Sequence, residues 1–291
     1  MILFVFEGAR REPMLFESIK YLFFEKETDT IVYSFGNNIY NLYKQIMELG
    51  TGDIVSLLRE IHRGNEENPF KDIASSSDFA EIYLFFDYDL QHKFLSLEEI
   101  NSRLKDMLEL FDDETSNGKL YINYPMIESI RYTKELPDRN YYQYTVKCAE
   151  CHDFKRLSCE FSHYDNLDYI LIDRHRTPKI CLNAKDCWEH LKTMNVSKAN
   201  YICTGENVMP AVKNAIAQDK IFEAQLQNYI NKPVPSVAIL NAFPFILCYH
   251  NRIFHKNTFK FSTKIRLYYG ISNSNAVKYM PKKCVFDGIL P

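Results

Sequence analysis

The chain has no phosphate-binding loop. Neither Gly-x-x-x-x-Gly-Lys-Ser/Thr nor Gly-x-Gly-x-x-Gly occurs in its 291 residues, so it is not itself a P-loop ATPase or a dinucleotide enzyme. Long hydrophobic runs are lacking too. The longest, 237–249, is broken by Asn241 and Pro244 and falls short of the roughly 20 residues of a membrane helix. The first apolar run has no charged leader and stops at Glu7, so no signal peptide is expected and a cytoplasmic protein is. Its eight cysteines are then expected as reduced thiols, not as a disulfide framework. Net charge is only −3, which gives no global pull toward nucleic acid. No internal repeat or low-complexity tract occurs.

What is present is an ordinary globular composition with a high aromatic content of 14%, expected to fill a large core. Two short apolar runs end abruptly in carboxylates. The first is Ile2-Leu3-Phe4-Val5-Phe6-Glu7-Gly8, and the second is Ile82-Tyr83-Leu84-Phe85-Phe86-Asp87-Tyr88-Asp89. Continuous apolar runs of this length read as buried strands of a parallel sheet. In open α/β sheets the ligand crevice lies beyond the carboxyl ends of the strands. If the two strands are neighbours, Glu7, Asp87 and Asp89 converge there. Three carboxylates without matching cations suit a hard divalent cation, Mg²⁺ or Mn²⁺; the alternative is solvated acids at loop starts.

Around these runs the elements alternate. Helices are expected at 13–24, 38–49, near 54–61 and from 97 onward, with strands at 30–35 and 119–123. Ser96 with Glu99 forms a capping box. Leu97, Ile100, Leu104, Met107, Leu108 and Phe111 form the apolar face of the helix that follows. The long 36–79 crossover is expected to carry an extra helical insertion. Beyond about 132 the texture changes, with helical segments at 164–171, 185–194 and 208–230 and a strand only at 264–269. The expected fold is thus α/β, a parallel sheet flanked by helices over 1–135, followed by a mostly helical domain over 136–291 with a basic tail.

A strand ending in Glu-Gly, then one ending in Asp-x-Asp, resembles the Toprim fold, and most of all the RloB-like and OLD-like nucleases of bacterial defence. In that group Glu-Gly is followed by a second acid and proline, as in Glu7-Gly8-Ala9-Arg10-Arg11-Glu12-Pro13. A later strand leads into Pro-x-x-Glu, as in Pro125-Met126-Ile127-Glu128. The resemblance covers roughly 1–135. It implies a Mg²⁺-dependent endonuclease cutting DNA or RNA (tRNA included), with Glu7, Asp87 and Asp89 at the metal and Glu7 also serving as general acid or base. Glu12 and Glu128 become candidates for a second ion. Because no ATPase motif is on this chain, the resemblance also implies a separately encoded ABC-type ATPase, as in PARIS-type systems, and leaves room for homo-oligomers. The rival expectation is a non-catalytic module that binds a partner protein, with a structural Toprim core.

Cationic candidates accompany the acids. Arg10 and Arg11 lie between two of them and could hold a scissile phosphate or simply be helix-start cations. Residues 251–291 carry eight lysines and arginines, Lys260, Lys264 and Arg266 among them, against one acid, Asp287. Interleaved aromatics there suit phosphate contact and base stacking, or a basic flank of a sheet. Arg174-His175-Arg176 is a further compact cation cluster. Cys148-x-x-Cys151-His152, with Cys159 and His163, could hold zinc; the same spacing matches c-type haem attachment, a poor fit without an export signal.

Overall fold

The computed structural model describes residues 1–25, 28–91, 94–163, 167, 170–171, 178–249 and 265–269. The chain alternates as expected through its first half: β1 (Ile2–Phe6), α1 (Arg11–Phe23), β2 (Thr30–Ser34), α2 (Ile39–Leu49), α3 (Ile54–Ile61), β3 (Glu81–Asp87), α4 (Leu97–Leu110), β4 (Asp112–Asp113) and β5 (Gly118–Asn123). The second half contributes β6 (Thr145–Lys147), α5 (Phe154–Phe161), α6 (Pro178–Thr204), α7 (Gln218–Gln225), β7 (Ser236–Ala238), α8 (Ile246–Tyr249) and β8 (Ile265–Tyr269).

The main sheet has the order β4-β5-β3-β1-β2-β8. Its pairs are parallel except β4–β5, a two-residue antiparallel edge, so the sheet is mostly parallel and not wholly so. The chain steps from β1 outward to β2, then returns across β1 to β3 and continues to β5. The direction of winding therefore reverses between β1 and β3. Such a switch point is where open α/β sheets form their ligand crevice.

Register decides which side chains share a face. Phe6 lies opposite Ser34 on one side and Phe85 on the other, and Phe85 lies opposite Tyr121. Phe4, Phe6, Tyr83, Phe85 and Tyr121 thus form an aromatic face. Phe4 stacks on Tyr83 with centroids 5.1 Å apart, and Phe85 stacks on Tyr121 at 5.0 Å. Phe16 of α1 meets Phe4 at 4.1 Å, and Phe243 meets Phe85 at 4.7 Å, so α1 and a segment near the end of the described chain close this face. On the other face the Tyr33 hydroxyl bonds His62 Nε2 at 3.0 Å, just after α3. Aromatic pairs at these distances add about 0.5–1.5 kcal/mol each beyond area burial.

Local signals place the helices. Asn38 caps α2 by accepting from Asn41 N–H at 3.1 Å, and Ser96 and Glu99 form the expected capping box on α4. Ile100, Leu104, Met107, Leu108 and Phe111 are buried as expected, whereas Leu97, at the first turn, is exposed. The 36–79 crossover carries two helices, α2 and α3, and a 3₁₀ turn at Ser76–Asp78.

The second half departs more. Residues 208–217 are not α-helical; a 3₁₀ turn at Lys213–Ile216, α7 and a π-helical turn, Leu226–Ile230, form within the helix expected at 208–230. Most of 164–171 lies outside the described residues. The apolar run 237–249 is not one element but β7, an antiparallel bridge from Leu240 to Tyr124, a 3₁₀ turn at Phe243–Phe245, and α8. The strand expected at 264–269 forms as β8, and it pairs parallel with β2 in the sheet of the first half. Buried Val146, Phe154, Trp188, Phe222, Val237 and Phe243 join the same hydrophobic cluster as the sheet. Residues on both sides of the expected boundary near 136 thus share one hydrophobic cluster.

Candidate acidic site at the carboxyl edge of the sheet

Parallel pairing continues one residue past β1, where Glu7 N–H donates to Phe85 O at 3.0 Å. There the ladder is taken over by a side chain. Asp87 N–H donates to the Glu7 carboxylate, at Oε2 and 2.9 Å, while Glu7 O accepts from Gly36 N–H at 2.9 Å. The strand-end position and one amide thus fix Glu7 beside Asp87. Asp87 Oδ1 in turn accepts from Asn123 Nδ2, across the β3–β5 pair, at 3.0 Å.

Gly8 brings in the next acid. Its N–H donates to Glu12 Oε1 at 2.9 Å, and a Cβ on residue 8 would lie 2.6 and 2.8 Å from the two Glu12 oxygens. With Glu12 in this position there is no room for a Cβ on residue 8, which is a physical reason for glycine after Glu7. Glu12 itself is buried at the start of α1.

Glu128 is buried on a 3₁₀ turn, Ile127–Arg131. Its Oε1 meets Arg11 Nη1 at 2.9 Å and Lys155 Nζ at 3.4 Å. The Glu128 side chain is 4% exposed, while that of Lys155 is 72% exposed. Arg11 therefore acts here as the partner of a buried acid, and Arg10 stands exposed at the start of α1. Asp89, two residues past β3, is half-buried.

The acids feel one another. Burial pushes Glu7 up to about 8, opposed by the Asp87 amide and reinforced by the charges of Glu12, Asp89 and Glu128. Burial also raises Asp87 well above the usual carboxylate range, with Glu7, Glu12 and Glu128 adding to it and Asn123 opposing. Glu12 is raised by burial, against two amide bonds and Arg11. The other four sequence candidates, Glu12, Asp87, Asp89 and Glu128, thus all lie within electrostatic reach of Glu7. Tyr40, in the first turn of α2, joins them: burial raises its hydroxyl, and Asp89 and Glu7 push it further.

By donor chemistry the set fits a hard divalent cation, since only carboxylate oxygens are gathered. By position it is a cluster rather than an assembled coordination sphere. Among the described residues no three His, Cys, Asp or Glu side chains stand close enough together to hold an ion. Glu7, Glu12, Asp87 and Glu128 each already have a hydrogen-bond or ion-pair partner within the protein.

Nor do the described residues gather a zinc site. Cys151 is buried and its thiol, pushed up to about 12 by burial, donates to Lys147 O. Cys159 is exposed on α5, and His152 Nδ1 bonds Ala149 O at 2.9 Å. Lys260, Lys264 and Arg174-His175-Arg176 lie outside the described residues, as does the Arg266 side chain, although its backbone is in β8.

Sequence reasoning missed Asn123, Lys155 and Tyr40. Asn123 had a signal, a polar residue ending a buried strand as Asp87 does; Lys155 and Tyr40 had none. No helix among the described residues is long and apolar enough to cross a membrane. Compared with protein-family models, curated proteins and solved structures, the chain shows no match. The fold and site themselves define an α/β protein with a carboxylate cluster at its sheet switch point.

Proposed function

We propose that the chain is a Mg²⁺- or Mn²⁺-dependent phosphodiesterase of the Toprim kind, cutting DNA or RNA. One observation carries this reading: Glu7 and Asp87 end neighbouring strands at the point where winding reverses, with three more carboxylates around them. Carboxylates packed this way repel one another, which favours a proton or a cation among them. Glu7, Asp87 and Asp89 are the groups assigned to the first ion, and Glu12 and Glu128 to a second.

A bound ion would supply water activation and neutralisation of charge on the phosphodiester. The chain's own contribution is proton handling and orientation. Glu7 Oε2 is engaged by the Asp87 amide, so Oε1 is the oxygen free to carry a proton. A carboxyl near 8 is suited to exchange that proton near neutral pH. Water oxygen bonds to phosphorus, the bond from phosphorus to the leaving oxygen breaks, and Glu7 moves a proton to or from these oxygens.

The role as effector of an anti-phage system with a separate ABC-type ATPase belongs to the same proposal and rests on the resemblance alone. A second reading, a non-catalytic partner-binding module, is favoured by the internal ties of Glu128 to Arg11 and Lys155. Thermal unfolding in EDTA against Mg²⁺ separates the two: binding to the folded state alone must raise the melting temperature. An unchanged melting temperature over a full titration favours the module.

A further inference from the structure

Asn123 ends β5 directly opposite Asp87, and its side chain is buried. It makes three links, two to the end of β3 and one to the segment before Phe243. Nδ2 donates to Asp87 Oδ1 at 3.0 Å, Oδ1 accepts from Ala242 N–H at 3.0 Å, and the main-chain carbonyl accepts from Tyr88 N–H at 2.9 Å. The amide cannot be turned round. Reversed, its oxygen would face a carboxylate and its NH₂ would face an N–H, leaving both ends unpaired in the core. Ala242 precedes Phe243, which packs on both Phe6 and Phe85 beneath the acids, so the anchor for Oδ1 is itself fixed.

We infer that Asn123 is a positioning residue for the acidic site, clamping Asp87 so that Oδ2 is the oxygen offered to a cation. The inference rests on the metal reading proposed above. A free aspartate samples two ends of its carboxyl and several rotamers; a clamped one has one oxygen occupied and the other aimed. Asn123 also joins the site to the second half of the chain, because its orientation is set by the Ala242 amide.

Groups that orient a ligating carboxylate are worth about 10–100-fold in metal affinity. The test is Mn²⁺ binding followed by electron paramagnetic resonance, on the full chain, for the parent, Asp87→Asn, Asn123→Ala and Asn123→Asp. Asn123→Ala removes both side-chain bonds. Asn123→Asp keeps an acceptor for Ala242 N–H, so it holds that segment if the alanine variant fails to fold, yet it loses the fixed amide donor to Asp87 and, when ionised, has no donor at all. The expected result is that the parent binds Mn²⁺, Asp87→Asn does not, and Asn123→Ala binds about 10–100-fold more weakly. Both Asn123 variants should show an altered line shape of the bound ion, a change that loss of stability alone does not produce in the folded fraction. A folded Asn123 variant with parental affinity and line shape, beside an Asp87→Asn that has lost binding, overturns the positioning role and leaves the metal reading standing. A parent that binds no Mn²⁺ removes both together.

Discussion

The backbone N–H of Asp87 donates to the side chain of Glu7, 2.9 Å away, where the next rung of the β1–β3 ladder would otherwise form. One acid is thereby held by the strand that carries the other. The two cannot drift apart without breaking a sheet contact, and their mutual repulsion is built into the fold.

Stability without metal should fall as pH rises through neutrality. Glu7 is raised from an ordinary value of 4.5 to about 8, so between these values the folded state keeps a proton that the unfolded chain releases. Its stabilising contribution is complete below 4.5 and is lost as pH climbs toward 8. Melting temperatures in EDTA should drop across this window, and Glu7→Gln, which keeps an acceptor for Asp87 N–H, should flatten the drop. A parental slope in Glu7→Gln would mean that other groups control it.

Gly8→Ala should damage the site more than the fold. The new methyl would displace the Glu12 carboxylate and break its bond to the residue 8 amide. Because the displaced group is the end of a flexible side chain, the cost should be about 1 kcal/mol, the size of one hydrogen bond. Chemical denaturation measures that cost, and Mn²⁺ titration should show weaker binding. A loss of several kcal/mol would place the role of Gly8 in the backbone instead.

Much of this arrangement was legible in the sequence, and the reasons are local. Strands buried on both faces need apolar residues at every position, so β1 and β3 stand out as unbroken runs and their terminal acids mark the carboxyl edge. The Ser96–Glu99 box announces α4 because both of its bonds lie within four residues. What could not be read depends on distant partners. The strands β6 and β7 are three residues each and exist by pairing with one another, and Glu128 gains Lys155 only through packing of α5 against its turn. Asn123 looked like the last residue of a strand; its meaning comes from Ala242, over a hundred residues on.

Arg11→Ala should destabilise by about 2 kcal/mol, because it leaves the buried Glu128 carboxylate with only an exposed lysine. Arg11→Ala combined with Glu128→Gln should recover most of that loss, since the charge needing a partner is gone. Urea unfolding of the two single variants and the double variant gives the coupling directly. Additive effects would show that the pair contributes little.

Whether the acidic cluster is a metal-dependent phosphodiesterase site is decided by cleavage of labelled single-stranded DNA, duplex DNA and tRNA by the purified full chain, with Mg²⁺, with Mn²⁺ and with EDTA, beside Glu7→Gln and Asp87→Asn. The expected result is cleavage of at least one substrate by the parent with either ion, none in EDTA, and none by the two folded variants. Cleavage that survives EDTA, or that persists undiminished in folded Glu7→Gln, would contradict it.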